Sequence, residues 1–199
     1  RSYNVDIAEK APCWIQLEAK GPAGHGSVPL RETAVTRLIR ALEKIRNHET
    51  NIKVVPAVQS YFTALAARED STKAVHFRDL EKALADPAFL KEFTANPLYN
   101  ALVRNTISPT VLEGSNKTNV IPAHARAQLD CRLLPGEDPQ QFVTSLEKVV
   151  DDPDVRFSIL LNFPPLASEP ETELFRAIRS VAERRDPQAL VLPAVLAGF

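Results

Sequence analysis

Two turn-rich segments contain polar side chains of the kinds that bind ligands or assist hydrolysis. In residues 21–29, His25 stands between Gly24 and Gly26 and is followed by Ser27. Flanking glycines let the backbone come close to a ligand, and an imidazole projecting from such a turn can donate a hydrogen bond to a developing oxyanion. A turn histidine without any function has the same surroundings, so the spacing alone leaves both interpretations open.

Ser27 is not predicted to be a nucleophile. The run Gly24-His25-Gly26-Ser27 differs from the Gly-x-Ser-x-Gly elbow that presents a nucleophilic serine. In addition, the sequence offers no obvious partners for a catalytic triad.

Asn119 and Arg132 are the other two candidates, and each has a purely structural alternative. Asn119 precedes a strand, where an asparagine side chain can cap a turn through its own hydrogen bonds. Arg132 falls on the outward side of a strand, where an arginine needs no special role. A planar guanidinium at a strand end is also the usual device for gripping a carboxylate at two points.

Hydrophobic periodicity predicts the elements that position these residues. Strands and helices are expected in the order strand, helix, strand, strand, helix, strand, over residues 13–20, 33–46, 106–114, 123–134, 138–150 and 155–163. This order is a split βαβ unit with helices over one face of the sheet. The predicted fold class is α+β, a ferredoxin-like βαββαβ two-layer sandwich.

The two cysteines are predicted to be reduced. Cys13 and Cys131 occupy apolar positions in the first and third strands. We expect these strands to run parallel, which would place the two residues farther apart than the Cα separation of about 7 Å that a disulfide tolerates. Reduced thiols favour a cytoplasmic location.

Residues 48–105 interrupt the sandwich and are too long and too patterned for a loop. Helices are predicted at 58–68 and 77–84, and helix starts at Asp86-Pro87 and Asn96-Pro97, so we expect a helical insertion packed beside the sandwich. A helix at 171–185 and a short strand at 190–192 follow, and neither has a partner in the predicted sandwich.

Composition argues against several classes of function. The formal net charge of −1 and the pI near 6.5 disfavour binding to nucleic acid or to an anionic membrane. No apolar run approaches the roughly 20 residues that span a bilayer. The four histidines are scattered, and no His-rich or paired-carboxylate motif is present, so this chain is predicted to bind no metal.

Taken together, the motifs resemble the lid, or dimerisation, domain of the dinuclear-zinc metallopeptidases. That family includes Gly-X carboxypeptidases, aminoacylases, acetylornithine deacetylases and succinyl-diaminopimelate desuccinylases. The matching runs are Gly24-His25-Gly26-Ser27 with Pro29, Thr118-Asn119-Val120-Ile121-Pro122, and Asp130-x-Arg132-x-x-Pro135-Gly136. The resemblance assigns residues 8–165 to the lid, with 48–105 as its insertion, and residues 166–199 to a partial return into a catalytic domain that is otherwise absent.

The resemblance also implies an activity and roles for three residues. The intact enzyme would be a homodimer that holds two zinc ions outside this chain and cleaves an amide next to a free carboxylate, in an N-acyl amino acid or a peptide. His25 would stabilise the tetrahedral intermediate in the partner subunit's site, while Asn119 and Arg132 would contact the substrate carboxylate. This chain alone would be inactive.

The rival interpretation is a stand-alone ferredoxin-like module with a regulatory or protein-interaction role and no catalysis. The helix and strand after residue 166 discriminate between the two. A free module has no use for them, whereas an inserted lid must return the chain to its host domain.

Overall fold

Two sheets with separate hydrophobic cores organise the chain. The structure is a computed structural model that describes residues 1–198. The strands are β1 (Ser2–Glu9), β2 (Ala11–Lys20), β3 (Gly24–His25), β4 (Thr106–Glu113), β5 (Val120–Ile121), β6 (His124–Leu133), β7 (Val155–Asn162), β8 (Leu166–Ala167) and β9 (Leu190–Leu196). The α-helices are α1 (Ala34–Asn47), α2 (Pro56–Leu65), α3 (Ser71–Arg78), α4 (Leu80–Ala83), α5 (Pro87–Thr94), α6 (Pro97–Leu102), α7 (Pro139–Val150) and α8 (Glu173–Arg185).

The first sheet is the predicted sandwich. Its four strands lie in the order β4-β6-β2-β7, and every neighbouring pair is antiparallel. Helices α1 and α7 cover one face and share a core with the inward side chains of the strands. The ferredoxin-like α+β architecture is therefore confirmed.

The two covering helices begin where their capping residues predict. Thr33 and Thr36 cap α1 reciprocally, because each side-chain oxygen accepts the other residue's backbone N–H. In α7 the Asp138 carboxylate accepts the backbone N–H of Gln141 at 2.7 Å, and Pro139 occupies the first helical position.

The prediction that the first and third strands of the sandwich run parallel is wrong. β2 and β6 are antiparallel neighbours, and Cys13 lies directly opposite Cys131. A helical crossover makes β2 and β4 parallel, and β6 is inserted between them, so it must run against both. Both cysteines are free and fully buried. The predicted thiols are found, although the argument from distance fails.

A second sheet joins the two ends of the chain. β1 and β9 pair in parallel from Ser2 opposite Leu190 to Glu9 opposite Leu196, and β8 pairs antiparallel with β1. Sequence analysis missed β1, although Tyr3, Val5 and Ile7 alternate with more polar residues. The strand predicted near residue 190, which had no partner in the predicted sandwich, is β9, and it pairs with β1.

The helical insertion packs on this second sheet. Its predicted helix starts are confirmed, since Asp86 and Asn96 each cap a helix that opens with proline. Its buried aromatic residues, such as Phe62 and Phe77, share a core with β1 and β9. The main packing partner of the insertion is therefore the second sheet, which the sequence analysis did not predict. An open cavity of about 1180 Å³ lies between α5 and α1.

Lys10 forms the one-residue connection between the two sheets and is fully buried. Its Nζ donates to the carbonyl oxygens of Ala101 and Arg104, at 2.8 and 2.9 Å, and lies 3.1 Å from Oγ1 of Thr106. These acceptors lie on the segment that returns the chain from the insertion to β4. No carboxylate of residues 1–198 forms a salt bridge with Lys10. Lys10 therefore joins the β1–β2 connection, by hydrogen bonds, to the segment that leads from α6 into β4.

Gly21 is required where β2 turns towards α1. A Cβ on Gly21 would lie 2.4 Å from the backbone nitrogen of Ala34 and 2.7 Å from the backbone carbon of Thr33. We expect Gly21→Ala to lower the free energy of unfolding by about 1–3 kcal/mol, because backbone atoms at the helix start must move. Urea unfolding measures this. Gly114→Ala is the control, since its Cβ would meet only a side-chain methyl of Val35 at 3.7 Å; equal losses would contradict the prediction.

Candidate functional site

A small two-stranded sheet brings together the two turn-rich segments that the sequence singles out. β3 and β5 pair antiparallel, with His25 opposite Val120. The backbone N–H of Gly26 donates to the carbonyl oxygen of Asn119 at 2.8 Å, and that of Gly21 donates to the carbonyl oxygen of Ala123 at 3.0 Å. His25 and Asn119, which are 94 residues apart in sequence, are therefore held side by side by backbone pairing.

The side chains of His25 and Asn119 are in contact at the surface. Nε2 of His25 lies 3.3 Å from Nδ2 of Asn119. On the other side of the ring, Nδ1 lies 2.7 Å from Oγ of Ser27 and accepts the backbone N–H of Ser27 at 3.2 Å. All three residues are exposed, so the group is open to a ligand.

The contacts of His25 fit two neutral tautomers. With the proton on Nε2, Nδ1 accepts the backbone N–H of Ser27; with the proton on Nδ1, Nε2 accepts from Nδ2 of Asn119 and Nδ1–H donates to Oγ of Ser27. In the first of these forms the imidazole and the amide can together offer N–H donors from two chain segments to the oxygens of a ligand. Donors arranged in this way stabilise the oxyanion of an acyl-transfer reaction.

Arg132 lies at the opposite end of the sandwich from this pair. The β2–β6 register places His124 beside Lys20 and Arg132 beside Pro12, eight residues further along β6. At about 3.4 Å per residue, that separation is roughly 27 Å. Within one chain, the structure thus brings together His25 and Asn119 but not Arg132.

Arg132 is near the end of the second sheet. Its Nε and Nη2 donate to the two carboxylate oxygens of Asp130 at 2.7 and 3.1 Å. Gly198 packs against the guanidinium so closely that an added Cβ would lie 2.7 Å from Nη1. The parallel strands β1 and β9 both end at this edge, and the carboxyl edge of parallel strands is where α/β sheets place ligands.

The described residues do not fit a metal site. Residues 1–198 contain no group of three or more His, Cys, Asp or Glu side chains that could hold a metal ion. Nor does any helix in this range have the length and apolar content needed to cross a membrane.

Sequence reasoning missed three features of the site. The β3–β5 pairing is only two residues long on each strand, too short for an alternating pattern to reveal it. The contact of Ser27 with the His25 ring was not foreseen, although a serine two residues after a turn histidine is within reach of Nδ1. The distance between Arg132 and the other two candidates follows from the antiparallel register, which the sequence analysis had wrong for this strand pair.

Comparison with known proteins identifies the class. Residues 7–158 match the peptidase dimerisation domain. The match covers most of the chain, which therefore belongs to the peptidase dimerisation domain family. Members of this family are parts of metal-dependent peptidases and related hydrolases.

Individual relatives are similar at a moderate level. The chain is 27% identical over 195 residues to "Probable carboxypeptidase S-like 2" of Dictyostelium discoideum, covering 97% of this chain and 37% of that protein. It is 26% identical over 170 residues to the human N-fatty-acyl-amino acid synthase/hydrolase PM20D1, covering 85% of this chain and 34% of the relative. The chain thus spans little more than a third of the length of these relatives.

Solved structures support the fold. Human carnosine dipeptidase 1 superposes on the whole chain with a TM-score of 0.64 at 14% identity, covering 46% of that structure. The M20 family metallo-carboxypeptidase Sso-CP2 from Sulfolobus solfataricus superposes with a TM-score of 0.63 at 16% identity, covering all of this chain and 55% of the other. Both the sandwich and the second sheet therefore have counterparts in known folds.

Proposed function

We propose that this chain is the lid and dimerisation domain of a zinc-dependent amidohydrolase or exopeptidase, and that it completes the active site of a second subunit. In this proposal residues 8–165 form the lid, with 48–105 as its insertion, and residues 166–199 lead into a catalytic domain. His25 stabilises the tetrahedral intermediate, and Asn119 and Arg132 contact the carboxylate end of the substrate.

The observation that carries the proposal is the separation of Arg132 from the His25–Asn119 pair. Arg132 packs against Gly198 at the carboxyl edge of β1 and β9, whereas the His25–Asn119 pair lies beyond the other end of β6, whose span from Arg132 to His124 is roughly 27 Å. One chain cannot bring both to one ligand of amino acid size. A two-fold dimer can, because the lid of one subunit then reaches the edge of the other. Each site would combine Arg132 of one subunit with His25 and Asn119 of its partner.

The proposed substrate is an amide with a neighbouring free carboxylate, in an N-acyl amino acid or a small peptide. The named activities of the relatives, a carboxypeptidase and an N-fatty-acyl-amino acid hydrolase, both involve such substrates. The zinc ions do not belong to residues 1–198, which contain no fitting set of ligands, so another part of the intact enzyme would hold them. In this proposal the lid residues supply hydrogen-bond donors, and the other part of the intact enzyme supplies the metal ions.

The rival interpretation, a stand-alone module, is disfavoured by the second sheet. β1 and β9 come from the two ends of the chain, flank the sandwich in sequence, and pair in parallel. An inserted lid leaves and rejoins its host in this way. A regulatory module that needs only the sandwich would have no use for that sheet.

The surface through which subunits would associate consists of α1 and the edge strand β4. On β4, Leu112 is opposite the buried Ala127, so it points to the helix side of the sheet, yet it is 67% exposed. On α1, Ile39 is 60% exposed. A two-fold axis beside β4 would let two sheets continue into one and would bury both side chains. We call Ile39 and Leu112 the α1–β4 surface.

Charging the α1–β4 surface tests the proposed function. We expect Ile39→Glu combined with Leu112→Glu to convert the intact enzyme into monomers and to lower kcat about 100-fold or more, because each site loses the donors of its neighbour. Sedimentation velocity and steady-state kinetics measure the two effects. Leu98→Glu, in the insertion and 51% exposed, is the matched control and should change neither. A monomer with full turnover would refute the proposal.

A further inference from the structure

Trp14 is the one tryptophan of the chain, and it lies on the open face of the four-stranded sheet. Cys13 and Ile15 on either side of it are fully buried beneath the helices, so Trp14 points to the opposite face. It is 43% exposed, although tryptophan is highly buried on average in folded proteins. Its indole takes part in no aromatic pair and no cation–π contact among residues 1–198.

The strand register places Trp14 beside the carboxylate that holds Arg132. Trp14 is directly opposite Asp130 in the β2–β6 pair, and opposite residues of an antiparallel pair have Cβ atoms about 4.5–5.5 Å apart on the same face. The Asp130 carboxylate accepts from Nε and Nη2 of Arg132 at 2.7 and 3.1 Å, so the guanidinium reaches from its own row to that of Trp14. An apolar ring and a guanidinium are therefore neighbours on the open face.

A β-bulge on the other side of Trp14 adds to the apolar surface. Trp14 pairs with Leu161 of β7, whereas Ile15 pairs with Ile159, so Leu160 is the extra residue of the bulge. Bulges redirect side chains and are frequent next to active sites. Leu161, as the partner of Trp14, shares the open face with it and is partly buried. The indole thus belongs to an apolar surface that borders a cation.

We propose that Trp14 binds the apolar side chain of the amino acid whose carboxylate contacts Arg132; this rests on the proposed function of Arg132. The carboxylate and the side chain of an amino acid branch from the same Cα, so the protein groups that bind them must be neighbours. Arg132 and Trp14 are neighbours of this kind, since a guanidinium attracts the carboxylate and an indole covers apolar surface. The intact enzyme would therefore prefer a hydrophobic residue at the carboxyl end of its substrate.

This contact acts on substrate binding and leaves the chemical step unaffected. The side chain is remote from the amide bond that breaks, so its contact with Trp14 is equally strong in the bound substrate and in the transition state. Such uniform binding changes KM and leaves kcat unaltered. Trp14 is thereby distinguished from His25, whose loss is expected to lower kcat.

Substrate pairs that differ in one side chain test the inference in the intact enzyme. N-acetylglycine and N-acetylphenylalanine are one such pair, and glycylglycine and glycylphenylalanine are the corresponding peptides. We expect Trp14→Ala to raise KM about tenfold for the phenylalanine substrate, because burial of a large apolar side chain is lost. KM for the glycine substrate and both kcat values should not change. Trp14→Phe keeps an aromatic face and should retain most of the preference.

Val111→Ala is the matched control in these measurements. Val111 lies on the same open face, because it is opposite Gln128, and it is 36% exposed. Gln128 is four residues before Arg132 along β6, a distance of roughly 14 Å. The substitution removes exposed apolar surface from the same sheet and should leave both KM values unchanged.

The second test uses the chain itself and needs no activity, because Trp14 is its only tryptophan. N-acetylleucine should shift the fluorescence of Trp14 to shorter wavelength in a saturable way, since its isobutyl group displaces water from the indole. N-acetylleucinamide lacks the carboxylate and N-acetylglycine lacks the side chain, so each should need an about tenfold higher concentration for half of the shift. Arg132→Gln should remove the difference between the acid and its amide.

The outcomes separate this inference from the proposed function. A ratio of the two KM values that stays the same in Trp14→Ala would overturn the inference while leaving the proposed function intact. Fluorescence that responds to none of the three compounds, or equally to all of them, would also overturn it. An intact enzyme that hydrolyses neither pair, or in which Arg132→Gln leaves KM unchanged, would instead refute the proposed function. The fluorescence would then still decide whether the indole binds an apolar carboxylate.

Discussion

Replacing His25 by alanine in the intact enzyme is expected to lower kcat by about 100- to 1000-fold, the cost of removing one oxyanion donor from an acyl-transfer site. Metal content and folding should change little, because His25 is exposed and belongs to no hydrophobic core. KM should change little because the proposed contacts of the substrate carboxylate, Asn119 and Arg132, are retained. Steady-state kinetics, elemental analysis and circular dichroism measure these quantities. His124→Ala is a suitable control, since His124 is an exposed histidine at the same end of β6.

Mixing two inactive proteins provides the decisive form of this experiment. One carries His25→Ala and the other carries a substitution that inactivates its catalytic domain. After random exchange, half of the dimers are mixed, and one of the two sites in each mixed dimer combines an intact catalytic domain with an intact His25. About a quarter of the activity of the unaltered enzyme should therefore return.

The absence of recovery would contradict action across the dimer. Subunit exchange must first be demonstrated independently, for example by pulling down one tagged variant with the other. If exchange has occurred and activity stays at the level of the separate variants, then His25 acts within its own subunit or has no role. If each variant is made with the charged α1–β4 surface, recovery should disappear, because no mixed dimer forms.

The elements of the sandwich could be predicted because their signals are local. Cys13, Ile15, Leu17 and Ala19 alternate along β2, and all four are fully buried beneath the helices. Caps such as Asp138 specify helix starts within a few residues. Each of these patterns depends only on which side of one element faces the core, so the sequence of that element is sufficient.

The relations between elements were harder to predict from the sequence, because they depend on which strands become neighbours. The error on Cys13 and Cys131 came from the direction assigned to one strand, and the hairpin-like return from β4 to β6 settles that direction. β1 was missed for a related reason. Its alternation is short and partly polar, and its partner β9 lies about 190 residues away at the other end of the chain.

The candidate site was predictable in its residues and unpredictable in its geometry. Glycines around His25 and the turn before Val120 indicate that both segments are loops that leave strands. Their meeting depends on the β3–β5 pairing, which involves two residues from each segment. Lys10 was missed entirely, because a lysine between two strands is ordinarily exposed and nothing local indicates its burial.

Lys10→Ala is expected to lower the free energy of unfolding by about 3–5 kcal/mol. The substitution removes a long, fully buried side chain and leaves a cavity. It also leaves the carbonyl oxygens of Ala101 and Arg104 without their donor. Lys10→Met keeps most of the apolar stem and removes only the amine. It should therefore lower the free energy of unfolding by less than Lys10→Ala does. Urea unfolding of the three proteins at one pH measures both losses, and equal losses would show that the cavity is unimportant.

The protonation of Lys10 makes this stability depend on pH in a defined direction. Burial, and secondarily the positive charge of Arg132, lower the pKa of Lys10 from 10.5 to about 7. Between these values the unfolded chain binds a proton that the folded chain does not, so raising the pH stabilises the folded state. The hydrogen-bond partners of Nζ fit both the charged and the neutral form of the Lys10 side chain. An ammonium donates to all three oxygens, whereas a neutral amine donates to the two carbonyls and accepts from the Thr106 hydroxyl.

The two cysteines limit, at the alkaline end, the pH range in which the effect of Lys10 on stability can be observed. Burial raises the pKa of Cys13 from 9.0 to about 11 and raises that of Cys131 as well. Above about pH 9 the folded chain therefore retains protons that the unfolded chain loses, and stability falls with pH. The contribution of Lys10 should be visible between about pH 7 and pH 9, where it amounts to on the order of a few kcal/mol.

A comparison of the unaltered chain with Lys10→Met isolates this contribution, because both proteins contain the same cysteines. We expect the free energy of unfolding of the unaltered chain to rise from pH 7 to pH 9 while that of Lys10→Met stays nearly level, so that the lysine becomes progressively more favourable relative to methionine. A difference between the two proteins that is constant across this range would mean that Lys10 keeps its proton in the folded state. The ammonium would then be retained by its three oxygen acceptors despite complete burial.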